Sequence, residues 1–372
     1  MTAGPRTFGV EEEYFFLHGD ALTPAPVGAR VRDEFAGVGR TSAFVAHEFL
    51  EAQIERSTPV FRRLSEAAAD LATFRSRLAR AAEAHGVVVA SVGTPFMTDG
   101  WPAITSDPRY HRVQDDFRGL VTDHLISGTH VHVGIDSPDE GIIALNGLRA
   151  WLPPLLALLG NSPYWRGADT GFASWRAVHM RRWTTVGAPP VFRDAGDYRD
   201  RIDRLVGIGG ISDTKMVWWV ARLAEFHPTV EVRLADAQLD VDSTLLYAAL
   251  VRALVDTAVQ DARDGRAPLE VPPELLDAAL WHAARDGVGG TLLDPRDGLM
   301  HPADDVVDAL LAAVDDALTA NGDREAVHRV VARIRLEGTG AQRQRQAVRT
   351  GGRGALRELY RSALVERRAT GE

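Results

Sequence analysis

The chain has 372 residues, 45% hydrophobic and 25% charged, with a formal net charge of -9; it can build a substantial core and a deep cleft, and its acidity argues against nucleic acid as a partner. Cysteine is absent, which excludes disulfides, thiolate nucleophiles and cysteine-ligated zinc, so any metal must be held by Asp, Glu or His. All but one of the 42 basic residues are arginine, the exception being Lys215, and no Gly-x-x-x-x-Gly-Lys occurs, so a P-loop is excluded.

The first predicted element is a strand in TFGVEEEYFFL, residues 7–17, where β-formers flank three glutamates. Alternation puts Glu11 and Glu13 on one face and Val10, Glu12 and Tyr14 on the other. Two carboxylates on one face of a buried strand repel unless a cation lies between them; an edge strand with solvated charges gives the same pattern. The segment HEFLEAQIERSTPVF, 47–61, reads either as a strand from about 50 with Glu51, Gln53, Glu55 and Ser57 on one face, or as a helix aligning Glu48, Glu51 and Glu55. Pro59 ends it in both cases.

Residues 62–85 carry Leu64, Ala68, Leu71, Phe74, Leu78 and Ala82 at helical spacing, and Gly86 stops the helix. GVVVASVG, 86–93, is a buried strand; a Pro- and Gly-rich loop over 94–110 precedes a helix near 110–126. In GTHVHVGI the strand period puts His130 and His132 together, with Val131 and Val133 opposite. A helix over about 139–159 should bend or split at Pro153 and Pro154. The segment 160–215 is long, Gly-rich and Arg-rich, beyond the needs of a connector. In TVEVRLADA, 229–237, Glu231 and Arg233 share a face. The chain then turns mostly helical, ending in an Arg-rich helix near 341–369. Trp165, Trp175, Trp218 and Trp219 are read as core, and Arg181 and Arg182 as surface. No run approaches the roughly 18 apolar residues of a membrane span, and the N-terminus lacks a signal-peptide pattern, so the expected location is the cytoplasm, away from membranes.

Three strands that each present an acidic or imidazole pair offer hard oxygen and nitrogen donors, a set suited to Mg2+ or Mn2+. GVEEEYFFL, QIERSTP, GTHVHVGI and TVEVRLADA, in this order, together with NSPYWRGADTGFASWRA at 161–177, resemble the glutamate-cysteine ligase type 2 family of carboxylate-amine ligases over about residues 7–240. The Glu-x-Glu, Gly-x-His-x-His and Glu-x-Arg pieces also resemble glutamine synthetase. The resemblance implies an α+β, glutamine synthetase-like fold: a curved antiparallel sheet forming a funnel, helices outside, in one catalytic domain over 1–372 with a sheet-rich core (7–240) and a mainly helical part (241–372). It implies Glu11, Glu13 and Glu55 as metal ligands, with Glu48 or Glu51 as further candidates. His130 and Glu231 would hold an ion at the phosphates of ATP, with His132 at the phosphate or the donor. Arg233 would approach the transferring phosphoryl group, and Arg176 would grip a substrate carboxylate. The expected partners are a glutamate-like carboxylate donor and an amino acid or amine acceptor, with a homodimer left open.

Two other classes remain at this stage. His-x-His also opens metal-dependent amidohydrolase sites, but those need further ligand histidines, and His179, His227, His282, His301 and His328 fall at no obvious strand end. A non-catalytic nucleotide- or metabolite-binding regulator would keep the fold and bind ATP without releasing ADP.

Overall fold

The computed structural model describes residues 4–35, 44–98 and 102–365. Its centre is a seven-stranded sheet in the order β2-β3-β1-β5-β9-β8, with β4 also paired to β1. In chain order these are β1 (Phe8–His18), β2 (Val45–His47), β3 (Gln53–Ser57), β4 (Val87–Ala90) and β5 (Gly128–Gly134). Two short strands, β6 (Tyr164–Trp165) and β7 (Ala168–Asp169), form a separate hairpin before β8 (Ala221–Leu223) and β9 (Thr229–Asp236) return to the sheet. Every pairing is antiparallel. β1 is the hub: its first half pairs with β5, its last residues with β4, and its middle with β3. The register sets Glu11 between Ser57 and His130, Glu13 beside Glu55, and His132 beside Glu231. Alternation therefore delivers the acidic and imidazole pairs of four strands to one face.

The other face is apolar. Phe8, Val10, Val131, Val133, Val230 and Val232 are all buried there, and α8 (Val241–Arg263) packs against β1 and β5 on this side. Among the described residues, seven helices precede it: α1 (Gly28–Asp33), α2 (Leu64–Ala84), α3 (Pro108–Phe117), α4 (Pro138–Leu148), α5 (Leu152–Leu158), α6 (Trp175–Met180) and α7 (Ala195–Gly207). After it come α9 (Pro273–Asp286), the hairpin β10 (Thr291–Asp294) and β11 (Leu299–Pro302), then α10 (Ala303–Asn321), α11 (Arg324–Glu337) and α12 (Gly340–Val365). The helices α2, α4, α10 and α11 all pack on α8.

Glu12, on the apolar side, is not idle. It is 1% exposed and ion-paired with Arg75, itself fully buried, and accepts hydrogen bonds from Tyr14 and from Thr244. Arg75 also donates to the carbonyls of Gln238 and Leu239. This ion pair joins β1, α2 and the start of α8.

Several sequence expectations shift. The segment 47–61 is neither one strand nor a helix: β2 ends at His47, a turn follows, and β3 begins only at Gln53. Glu51 falls in that turn and is exposed, so it does not join Glu55. The helix near 110–126 stops at Phe117 and tightens into a 3-10 turn over Arg118–Asp123, where Arg118 takes a positive φ of 49°. Pro153 and Pro154 do split the helix over 139–159. They enter the first turn of α5, where a missing N–H costs no hydrogen bond. That stretch, Pro138–Leu158, is long and apolar enough by length and composition to cross a membrane, contrary to the sequence reading, but most of it is buried inside the fold. The last helix is broken at Gly351 and Gly352, the latter with a φ of 60°. Its expected end at 366–369 lies outside the described residues, as do 99–101 of the loop over 94–110.

Candidate active site

The polar face of the sheet floors a cavity of about 360 Å³. Glu11, Glu13, Glu48, Glu55, His130, His132, Arg176, Glu231 and Arg233 all line it, whereas Glu51 does not. A larger cavity, about 620 Å³, lies among α10, α11 and α12, but it has no such convergence of carboxylates and imidazoles. Chemistry, not volume, selects the sheet face.

Glu11 is the centre of the cluster. Its Oε2 is 3.1 Å from His130 Nδ1 and its Oε1 is 3.5 Å from His132 Nε2. Burial disfavours its charge, but the adjacent imidazoles of His130 and His132 outweigh burial and hold its carboxyl well below the usual range. Glu13 Oε2 accepts from the backbone N–H of Gly128 at 2.7 Å, and its Oε1 is 3.7 Å from His130 Nε2. Glu48 and Glu55 share a hydrogen bond. Burial, then the charge of Glu13, pushes Glu48 up to about 7. Burial and the charges of Glu11, Glu48 and Glu13 drive Glu55 well above its ordinary value. Glu48 and Glu55, crowded among carboxylates, lack the positive charge that would let both ionise.

Glu231 is differently placed. It is paired with Arg233 on its own strand and with Arg222 Nε at 2.8 Å on β8. Burial opposes its charge, yet Arg233 and Arg222 hold it well below the usual carboxylate range. Arg222 was not among the sequence candidates. The signal for it was the hairpin: Arg222 is directly opposite Glu231 in the β8–β9 ladder.

The donor atoms of Glu11, His132 and Glu231 all lie within 4.8 Å of one another. His132 Nδ1 is engaged by Thr229 Oγ1 at 3.0 Å, and its Nε2 is buried with no hydrogen-bond partner among the described residues. An imidazole fixed through one nitrogen, with the other bare and aimed at carboxylates, fits a divalent cation. Among the described residues the convergent imidazole is thus that of His132; the Nδ1 of His130 is taken up by Glu11 and lies 3.4 Å from Arg233. The sequence reading gave the ion to His130 and put His132 at the phosphate or the donor.

Arg176 lines the floor although only 3% exposed, with its terminal nitrogens donating to the carbonyls of Leu234 and Arg233 at 3.3 Å and its Nε unpaired among the described residues. It is positioned by Asp236. That carboxylate accepts from Asn161 N and Ser162 Oγ at 2.7 Å and from Ser174 Oγ at 2.8 Å. Ser162 Oγ in turn accepts from Arg176 N, and Ser174 caps α6. The motif over 161–177 is thereby clamped to the end of β9.

The remaining expectations separate cleanly. Arg181 and Arg182 pair with Asp277 and with Asp123, and neither lines the cavity. Trp218, read as core, does line it, together with Trp183, His124 and Lys215. His282, His301 and His328 pair with Asp286, Asp297 and Asp315, and His179 stacks on Trp165. His227, however, precedes β9 by two residues, and its ring centroid is 6.4 Å from that of His132. The antiparallel sheet has no place for the barrel strands an amidohydrolase would need.

The comparisons agree with this geometry. The model of Glutamate-cysteine ligase family 2 matches residues 7–362. A protein of Salinispora arenicola named "Putative glutamate--cysteine ligase 2" is 41% identical over 340 residues, covering 91% of this chain and 89% of its own. A Nocardia farcinica protein, "Putative glutamate--cysteine ligase 2-1", is 39% identical over 92% of this chain and 88% of its own. Among solved structures, the glutamate–cysteine ligase of Francisella tularensis in complex with AMP superposes with a TM-score of 0.73 at 13% identity, covering 97% of this chain and 89% of that one. A bifunctional glutathione synthetase from Pasteurella multocida gives 0.66 at 15% identity, covering 96% of this chain and 52% of that one. The fold is therefore of the glutamine synthetase-like kind that the motifs implied. The match along nearly the whole sequence, on a sheet face built of carboxylates and imidazoles, makes this chain a member of glutamate-cysteine ligase family 2, an enzyme that joins a carboxylate to an amine.

Proposed function

We propose that the enzyme uses ATP to activate a glutamate-like carboxylate as an acyl phosphate, which an amine then converts to the amide. The observation that carries this reading is the meeting of Glu11, His132 and Glu231 donor atoms beside Arg233, with Glu13, Glu48 and Glu55 on the same face. The AMP in the Francisella tularensis structure supports nucleotide use. Glu11, His132 and Glu231 would hold one divalent ion, and Glu13, Glu48 and Glu55 a second. Bound there, Mg2+ or Mn2+ would neutralise phosphate charge and polarise the γ-phosphoryl group.

The protein's own groups do the rest. Arg233 reaches the cavity from Glu231, poised to follow charge onto the moving phosphoryl group; Arg222 keeps Glu231 ionised if Arg233 swings away. A donor carboxylate oxygen attacks the γ-phosphorus and the bond to ADP breaks. The amine nitrogen then attacks the acyl carbon, and phosphate leaves with the proton that the nitrogen loses. The cationic floor formed by Arg176 and Arg233 suits the donor's second carboxylate. No enzyme nucleophile is involved.

Measuring ADP release over a matrix of carboxylate donors and amine acceptors, with product mass, tests the reading. With donor labelled with ¹⁸O in the reacting carboxyl, one label should reach inorganic phosphate per turnover. Unlabelled phosphate formed with product would eliminate the acyl phosphate, and turnover without ATP would eliminate the ligase mechanism.

A further inference from the structure

One wall of the cavity is aromatic, and the reaction above leaves it without a task. Tyr110 meets Phe49 at 5.4 Å between ring centroids, Phe49 meets His124 at 6.0 Å, His124 meets Trp183 at 4.3 Å, and Trp183 meets Trp218 at 5.4 Å. All five line the cavity. The row ends at the reaction centre, where the guanidinium carbon of Arg233 stands 5.7 Å from the Trp218 ring. None of the five belongs to a strand; α3 and connecting segments present them.

Packing alone does not account for their chemistry. Trp183 Nε1, Trp218 Nε1 and His124 Nδ1 are buried and make no hydrogen bond among the described residues. Phenylalanine would fill a purely structural wall without leaving such groups unmet. Two indole N–H donors and an imidazole nitrogen set along a row of tilted and edge-on rings suit a ligand with a flat apolar body and a polar end.

Which reactant that is follows from charge. A glutamate-like donor carries two carboxylates and an ammonium, and the groups that complement it are Arg176 and Arg233 on the floor. The phosphates belong with Glu11, His132 and Glu231, on the side where His227 approaches His132. The adenine ring and the acceptor remain for the aromatic row; because the row ends beside Arg233, where the acceptor's nitrogen must arrive, it falls to the acceptor. Resting on the ligase reading, we propose that Phe49, Tyr110, His124, Trp183 and Trp218 form the acceptor subsite, and that the acceptor is an amine bearing an aromatic ring rather than a small thiol amino acid.

Calorimetric titration of the full chain, with Mg2+ and a non-hydrolysable ATP analogue present, tests this with four probes: 2-phenylethylamine, tyramine, methylamine and cysteine. The two aromatic amines should bind at least about tenfold more tightly than the other two, and Trp183→Ala should erase most of that preference while nucleotide affinity holds. Trp183→Phe, which keeps the ring and loses the N–H, should retain 2-phenylethylamine binding; it also serves if the alanine variant does not fold. Cysteine binding as tightly as 2-phenylethylamine would overturn the proposal. So would a Trp183→Ala protein that loses nucleotide affinity and keeps amine affinity, since the wall would then hold adenine. ADP release separates the two readings: aromatic amines that bind at Trp183 while no donor and acceptor pair yields ADP would sink the ligase mechanism and the acceptor role with it, whereas ADP release that favours cysteine would sink the acceptor proposal alone.

Discussion

Glu11 and Glu12 are neighbours of identical chemistry on opposite faces of β1, and they predict opposite phenotypes. Glu11→Gln, Glu55→Gln and Glu231→Gln should each lower kcat by about 100-fold or more in proteins that still fold, because an ion displaced by even 1 Å misplaces the phosphoryl group. Full turnover in any of them would remove that residue from the site. Glu12→Gln should leave the metal-binding face intact but cost about 3 kcal/mol of stability by stranding Arg75, read as a shift in the urea midpoint. Alternation alone separates these two fates, which is why Glu11 and Glu13 were legible in the sequence. The partner of Glu12 was not, since nothing local ties residue 12 to residue 75. Glu51 was misplaced for a related reason, because a turn between two short strands has the same composition as the strand itself.

The connecting elements hold a different kind of information. The strands β1, β5 and β9 announce themselves by period-two alternation, whereas the turns around α3 and α6 show no period, and the aromatic wall comes together only through tertiary contact. Two histidines in this region make it sensitive to acid. Burial, then the charge of Arg182, lowers His124 to about 3, and the same two causes in the same order lower His179 to about 4. Both sit below the ordinary histidine value of about 6.5, so between that pH and the folded values the unfolded chain binds more protons. Their contribution to stability is therefore full above about pH 6.5 and is lost as pH falls toward 4 and then 3. Thermal melts at pH 7 and pH 5 should show a drop that His124→Phe reduces. An equal drop in that variant would place the acid sensitivity elsewhere. At the clamp of the 161–177 motif, Ser174→Ala removes the cap of α6 and should cost about 1 kcal/mol, measured by chemical denaturation, with a further loss of turnover if Arg176 shifts.

At the scale of the whole molecule, the helices beyond residue 240 are part of the same core as the sheet. α8 covers the apolar side of β5, and Asp240 at its N-cap binds Arg333 of α11 and Arg343 of α12. Gln344 donates to the carbonyl and side chain of Asn161, inside the central motif. We propose on these grounds that the sheet and the helices beyond residue 240 fold as one unit, and that a fragment ending at 240 will not give a cooperative melt. A sharp thermal transition in that fragment would show the sheet to be independent. The recognisable motifs stop near 240 because they are those of the polar sheet face. The helices need only bury the other face, a task that many apolar sequences satisfy, so their sequence specifies less.

Lys215 is the only lysine of the chain. It sits at the rim of the cavity, its ammonium 4.8 Å from the ring of Phe226, and its backbone carbonyl receives a hydrogen bond from Arg222, the partner of Glu231. Apart from the terminal amine, an amine-selective reagent has one place to go. A fluorophore or cross-linker carried on an activated ester would therefore mark the mouth of the site and, besides it, only the terminal amine, and reactants that fill the cavity should shield Lys215 from the reagent.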